Sequence, residues 1–98
     1  MNYTLNFDSR VADDEKHAYQ YYIDLHAKDS ADLFLEQVNQ IYDLLEQNPF
    51  LFRVYYNNIH CAVLKNFPYL IHYQISKTKR NVLVIAIYPT SKKPLWQY

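Results

Sequence analysis

The chain has 98 residues, one cysteine, eleven tyrosines, no glycine and zero formal net charge, and half of it is hydrophobic. That content supports one two-layer core and excludes both a second domain and a disordered tail, so residues 1–98 are expected to form a single domain. A lone cysteine excludes an intrachain disulfide, the absence of glycine excludes a phosphate-cradling Gly loop, and no apolar run approaches the roughly 20 residues that cross a bilayer.

Along the chain, Tyr3, Leu5 and Phe7 alternate with Asn2, Thr4 and Asn6, which predicts a first strand with one wet face. Asp8 or Ser9 then offers an N-cap, and Asp13, Asp14 and Glu15 suit the solvated first turns of a helix that runs to about His26. Asp29 and Ser30 signal a second start. Ala31, Phe34, Leu35, Val38, Ile41, Tyr42 and Leu45 recur at helical spacing up to the stop at Asn48-Pro49. So short a connection predicts an antiparallel helical hairpin.

From Pro49 the period falls to two. Phe50–Tyr56 reads as an extended segment, Asn57-Asn58 as a turn and Ile59–Lys65 as a strand. In Phe67–Ile75 the residues Phe67, Tyr69, Ile71, Tyr73 and Ile75 share one face and Pro68, Leu70, His72 and Gln74 the other, so the strand starts near Phe67. Ser76–Asn81 is a basic hairpin loop, and Val82–Tyr88, apolar on both faces, is a covered central strand. Without glycine, positive φ should fall to Asn48, Asn57, Asn58, Asn66 and Asn81. The fold class is therefore α+β: an N-terminal strand, then a helical hairpin packed on a mainly antiparallel sheet, in the order β-α-α-β-β-β.

The zero total charge hides a segregation. Residues 1–48 hold ten carboxylates against Arg10, Lys16 and Lys28, net −7, whereas residues 49–98 hold no carboxylate and seven cations, net +7. One reading is a basic sheet face meant for nucleic acid or an acidic protein segment; the other is that the halves attract each other within the fold. Cys61, in an apolar strand, reads as an inert buried thiol in a reducing compartment. Because the N-terminus also lacks a basic-then-apolar signal pattern, a cytoplasmic protein is expected.

The Tyr21-Tyr22 pair, the helix running into Asn48-Pro49, AVLKNFPYLIHYQI and VLVIAIYPTSKKPLW together resemble the RelE/ParE superfamily of bacterial toxins of type II toxin-antitoxin pairs, over Leu5 to Trp96. The long hairpin looks more like the ParE branch, which implies a growth-inhibiting, plasmid-stabilising toxin acting on DNA gyrase and neutralised by a cognate antitoxin in a hetero-oligomer. The alternative is a RelE-like, ribosome-dependent endoribonuclease of messenger RNA, or a degenerate member that only binds its antitoxin. His60 stands where many relatives carry Arg, and Pro89 and Lys92 where many carry His and Arg, which weakens the nuclease reading.

RNA cleavage through a 2′-hydroxyl needs a base, an acid and cations for the phosphorane. The candidates are His60, Lys65, Lys92, Tyr88 and Tyr98, with Arg53 and His72 beside them; His72 is expected on the exposed side of its strand. Arg53, Lys77, Lys79, Arg80, Lys92, Lys93 and Trp96 are the candidates for binding target or antitoxin, with Trp96 also suited to anchoring the tail. His17, His26, His60 and His72 show no ligand spacing, so no metal and no cofactor is expected.

Overall fold

The structure, a computed structural model, describes residues 2–91. The elements are β1 (Thr4–Phe7), α1 (Arg10–Asp24), α2 (Lys28–Gln47), β2 (Val54–Tyr56), β3 (Ile59–Val63), β4 (Tyr69–Ser76) and β5 (Asn81–Pro89). The strands form one sheet in the order β1-β5-β4-β3-β2, with β1 parallel to β5 and every other pair antiparallel. This is the expected α+β architecture. The apolar run of β5 lies between β1 and β4, with Val82, Val84 and Ala86 fully buried.

Asp8 caps α1: its Oδ1 accepts the Arg10 amide at 3.0 Å, which satisfies one of the donors a helix start leaves open. At the other end the Ala27 amide donates to Tyr22 O and the His26 amide to Ile23 O, the paired bonds of a Schellman motif. His26 takes the left-handed position that glycine would fill in a chain that had one, at φ 58°. The turn reverses the chain, and two bonds mark the antiparallel register of the hairpin: Tyr19 Oη to Asp32 Oδ1 at 2.9 Å and Tyr42 Oη to Glu15 Oε2 at 3.1 Å.

The apolar stripe of α2 (Phe34, Val38, Ile41, Leu45) meets Ala62, Leu64, Ile71, Val82, Val84 and Ile87 of the sheet side. Phe34 is the hinge of an aromatic cluster, edge-on to Phe67 at 5.6 Å and to Tyr69 at 5.3 Å between ring centroids. The register of β4 on β5 slips between His72 and Tyr73, leaving Ile85 as an extra residue in β5. The bulge puts Val84 and Ile87, three residues apart, on the same core face.

Several local expectations are corrected. Phe50–Tyr56 is not extended throughout: Pro49–Leu51 is a 3-10 turn, because the Asn48 side chain accepts the Phe50 amide and Pro49 at the first position has its φ preset. Tyr73 Oη then pins this turn to the sheet through Pro49 O at 2.7 Å. β3 ends at Val63, short of Lys65. β4 starts at Tyr69 and not at Phe67, since the Tyr69 amide turns back onto Phe67 O and Pro68 has no amide to donate. Of those five asparagines only Asn57 and Asn58 take positive φ; among the described residues His26 and Arg80 take the other two such positions. Asp14 and Glu15 are not solvated capping residues, for each is half-buried and hydrogen-bonded to another element. His72 is 3% exposed where an open strand face was expected.

Candidate functional site

The β4–β5 hairpin turn carries Lys77, Lys79 and Arg80, and the fold sorts them by side of the sheet. Arg80 Cζ lies 4.8 Å from the centroid of Tyr3, and Lys77 Nζ lies 5.5 Å from that of Phe50. Tyr3 and Phe50 meet edge-to-face at 6.0 Å, so two cations and two rings form one row joining the hairpin, the residue just before β1 and the 3-10 turn. Lys79 instead lines a pocket with Asn58, Gln74, Ser76 and Asn81. Arg53 lies over Tyr55 at 5.2 Å, at the β2 edge. Lys92, Lys93, Trp96 and Tyr98 lie outside the described residues.

Among the described residues the candidate catalytic groups His60, Lys65 and Tyr88 do not converge. His60 sits on the helix side of β3, where its Nδ1 lies 2.6 Å from Phe52 O, which makes Nδ1 the donor, and its ring stacks on Tyr73 at 5.1 Å. Tyr88 faces the opposite side of the sheet, edge-on to the ring of His72 at 6.1 Å. His72 Nδ1 lies 2.9 Å from Tyr56 Oη and 3.4 Å from Cys61 Sγ. Burial lowers its pKa from the ordinary 6.5 to about 4, so the ring is a neutral packing group at physiological pH. Burial likewise pushes the Cys61 thiol up to about 12, as an inert cysteine requires. Lys65 follows the far end of β3.

Lys65 instead closes a groove of about 390 Å³ that sequence reasoning did not foresee, between Gln37, Gln40, Ile41 and Leu44 of α2 and Phe52, Val63 and Leu64 of the sheet edge. Leu44 and Val63 are exposed although both are apolar, which shows only once the helix and the strand edge are in place. The edge itself is open there. β2 reaches β3 only through Val54–His60, Tyr56–Ile59 and the Cys61 amide on Arg53 O, so among the described residues Val63 has no strand partner on its outer side.

The acidic half lies on the hairpin. Its only ion pairs among the described residues are Arg10–Asp8 at 3.1 Å and Lys28–Asp32 at 2.8 Å, so neither joins the helices to the basic sheet. Among the described residues the segregated charge is therefore not spent on ion pairs between the two halves. No three His, Cys, Asp or Glu side chains gather in a metal-binding group among the described residues, and no helix there is long and apolar enough to cross a membrane.

This fold sets a helical hairpin on a five-stranded sheet, with cations at one rim of the sheet and carboxylates on the hairpin. It is similar to a solved structure described as the chromosomal ParDE TA system from P. aeruginosa, with a TM-score of 0.75, 16% identity, and coverage of 89% of this chain and 95% of that one. Residues 5–94 match the family of ParE toxins of the type II toxin-antitoxin system parDE, and the chain belongs to that family. No curated protein matches it.

Proposed function

We propose that this ParE-family toxin arrests growth by binding an essential target, DNA gyrase, without chemistry of its own, and that a cognate antitoxin in the cytoplasm neutralises it. The observation that supports the binding reading is the dispersal of the candidate bases among the described residues: His60 is committed to Phe52 O and stacked on Tyr73, while Tyr88 lies across the sheet beside His72. General acid-base cleavage needs those groups around one phosphate.

The antitoxin segment we assign to the groove between α2 and the β3 edge. An extended chain adds there beside Val63, places apolar side chains over Leu44, Ile41 and Phe52, and brings a carboxylate to Lys65. Lys92 and Lys93 are further candidates by charge alone, and replacing both by Glu should weaken the complex or abolish toxicity. The deciding experiment pairs a supercoiling assay on purified toxin and gyrase with primer extension on translated messages. Inhibited supercoiling supports the proposal; unaffected supercoiling together with new ends inside codons overturns it in favour of ribosome-dependent cleavage.

A further inference from the structure

The face of the sheet turned away from the helices holds a pocket of about 350 Å³ at the hairpin end, lined by Asn58, Gln74, Ser76, Lys79 and Asn81 with Ile75 and Leu83. Its placement follows from register. Gln74 pairs with Leu83 and Ser76 with Asn81, so these four share one face, and Thr4 and Asn6 continue it on β1 through their pairing with Asn81 and Leu83. Asn58 enters from the β2–β3 turn, where its φ of 63° is one that asparagine tolerates.

The chemistry of the lining is specific. It offers three carboxamides, a hydroxyl and one ammonium, and no carboxylate; none occurs anywhere from residue 49 onward. The Lys79 amide bonds Ser76 Oγ at 3.3 Å, which orders the turn that presents the lysine. Arg80, whose planar fork would suit a carboxylate, is turned away onto Tyr3. What remains is a point charge among neutral donors. A carboxylate presents two oxygens in one plane, whereas a phosphate presents several oxygens in three dimensions to scattered amides, a hydroxyl and an ammonium.

The geometry points to a binding site for a phosphodiester group of a nucleic-acid strand, held by Lys79, Gln74, Asn58, Ser76 and Asn81. The carboxamides that do not touch phosphate face the sugar and base edges. The site lies at the opposite end of β4 from the groove at Lys65, so a strand bound here leaves that groove accessible, and the inference does not depend on gyrase being the target.

The test is fluorescence anisotropy of a labelled single-stranded oligonucleotide with the purified chain at low salt, for the wild type and for Lys79→Glu, Gln74→Glu and, as a control on exposed α1 with the same charge change as Lys79→Glu, Lys16→Glu. The expected result is a loss of about tenfold or more for Lys79→Glu and Gln74→Glu, with little change for Lys16→Glu. Equal losses in all three, or no binding by the wild type, overturn the site. Independently of variants, amide shifts of the wild type on adding inorganic phosphate should fall at Asn58, Gln74, Ser76, Lys79 and Asn81. Shifts that fail to cluster there, or an oligoglutamate peptide that displaces the oligonucleotide at equal concentration, refute phosphate recognition, the second in favour of an acidic protein ligand.

Discussion

Asp14 Oδ2 accepts the amide proton of Ile87 at 2.9 Å, across the seam between α1 and β5. The bond matters because β1 stops pairing at Phe7–Val84, and beyond the bulge at Ile85 the next amides of β5 on that side have no strand partner among the described residues. Burial raises the Asp14 pKa despite this bond, so the carboxylate is held at some cost for the sake of the backbone donor it satisfies. Asp14→Ala should lower unfolding free energy by about 1–3 kcal/mol, the range for an orphaned buried donor, and Asp14→Asn should lose less because its carbonyl oxygen can still accept. Urea denaturation of the two variants checks the order; equal losses would show that the backbone amide does not need the side chain.

The connection between the helices invites the opposite substitution. His26 occupies a left-handed backbone position at φ 58° within the Schellman turn, where a Cβ is a steric burden. His26→Gly should therefore stabilise the fold by about 1 kcal/mol, less the entropy that glycine adds to the unfolded chain, and raise the melting temperature by a few degrees. Calorimetry on the variant is decisive, since a fall in melting temperature would mean that the imidazole makes compensating contacts.

These two sites mark where sequence reasoning stopped. The helical periods of Val11 to Leu25 and Ala31 to Leu45 and the alternation through Ile71 and Tyr73 placed both α-helices and β4 in order, because each has one face to bury, whereas the expected β-α-α-β-β-β order counts one strand fewer after the hairpin than the four that form there. VLVIAIY carries no such contrast: apolar on both sides, it cannot say where its register slips, so the bulge and the Asp14 bond beneath it stayed hidden. Asn48-Pro49 was legible as a helix stop, but the same pair also starts a 3-10 turn, and only the Asn48 side chain on the Phe50 amide reveals it. At the site, the charge of Lys77 and Arg80 was plain, yet their partners Phe50 and Tyr3 are distant in sequence, and a contact between rings and cations from three elements has no linear signature. Asn58, Gln74 and Asn81 escaped notice for the related reason that neutral amides become a pocket only when strand register aligns them.

His72 predicts the acid response. In the unfolded chain it titrates at the ordinary 6.5, and in the fold at about 4, so between these values the unfolded state binds the additional proton. Stability from this residue is fully present above about pH 6.5 and is lost as pH falls towards 4, by about 3 kcal/mol at most. Asp14 and Glu15 act oppositely: their carboxyl pKa values are raised by burial, so protonating them at the acid end favours the fold. Comparing urea midpoints of the wild type and His72→Phe from pH 7 to 4.5 isolates the histidine. The wild type should lose stability more steeply, and parallel profiles would mean that the imidazole is protonated in the folded state without penalty.

The groove at the β3 edge supplies the last expectation, which joins packing to neutralisation. Val63 is 51% exposed and Leu44 40%, and they belong to opposite walls, one on the strand edge and one on α2. Because neither side chain is in the core, replacing it costs the toxin little stability, while a charge there would have to be desolvated when an apolar antitoxin segment settles into the groove. Leu44→Glu and Val63→Glu should each weaken antitoxin binding by about tenfold or more, and together by more than either alone, with circular dichroism and melting temperature nearly unchanged. In cells the double variant should stay toxic when the antitoxin is co-expressed at a level that silences the wild type. A variant that is silenced as readily as the wild type would move the antitoxin to another face of the domain and leave this groove without an assigned occupant.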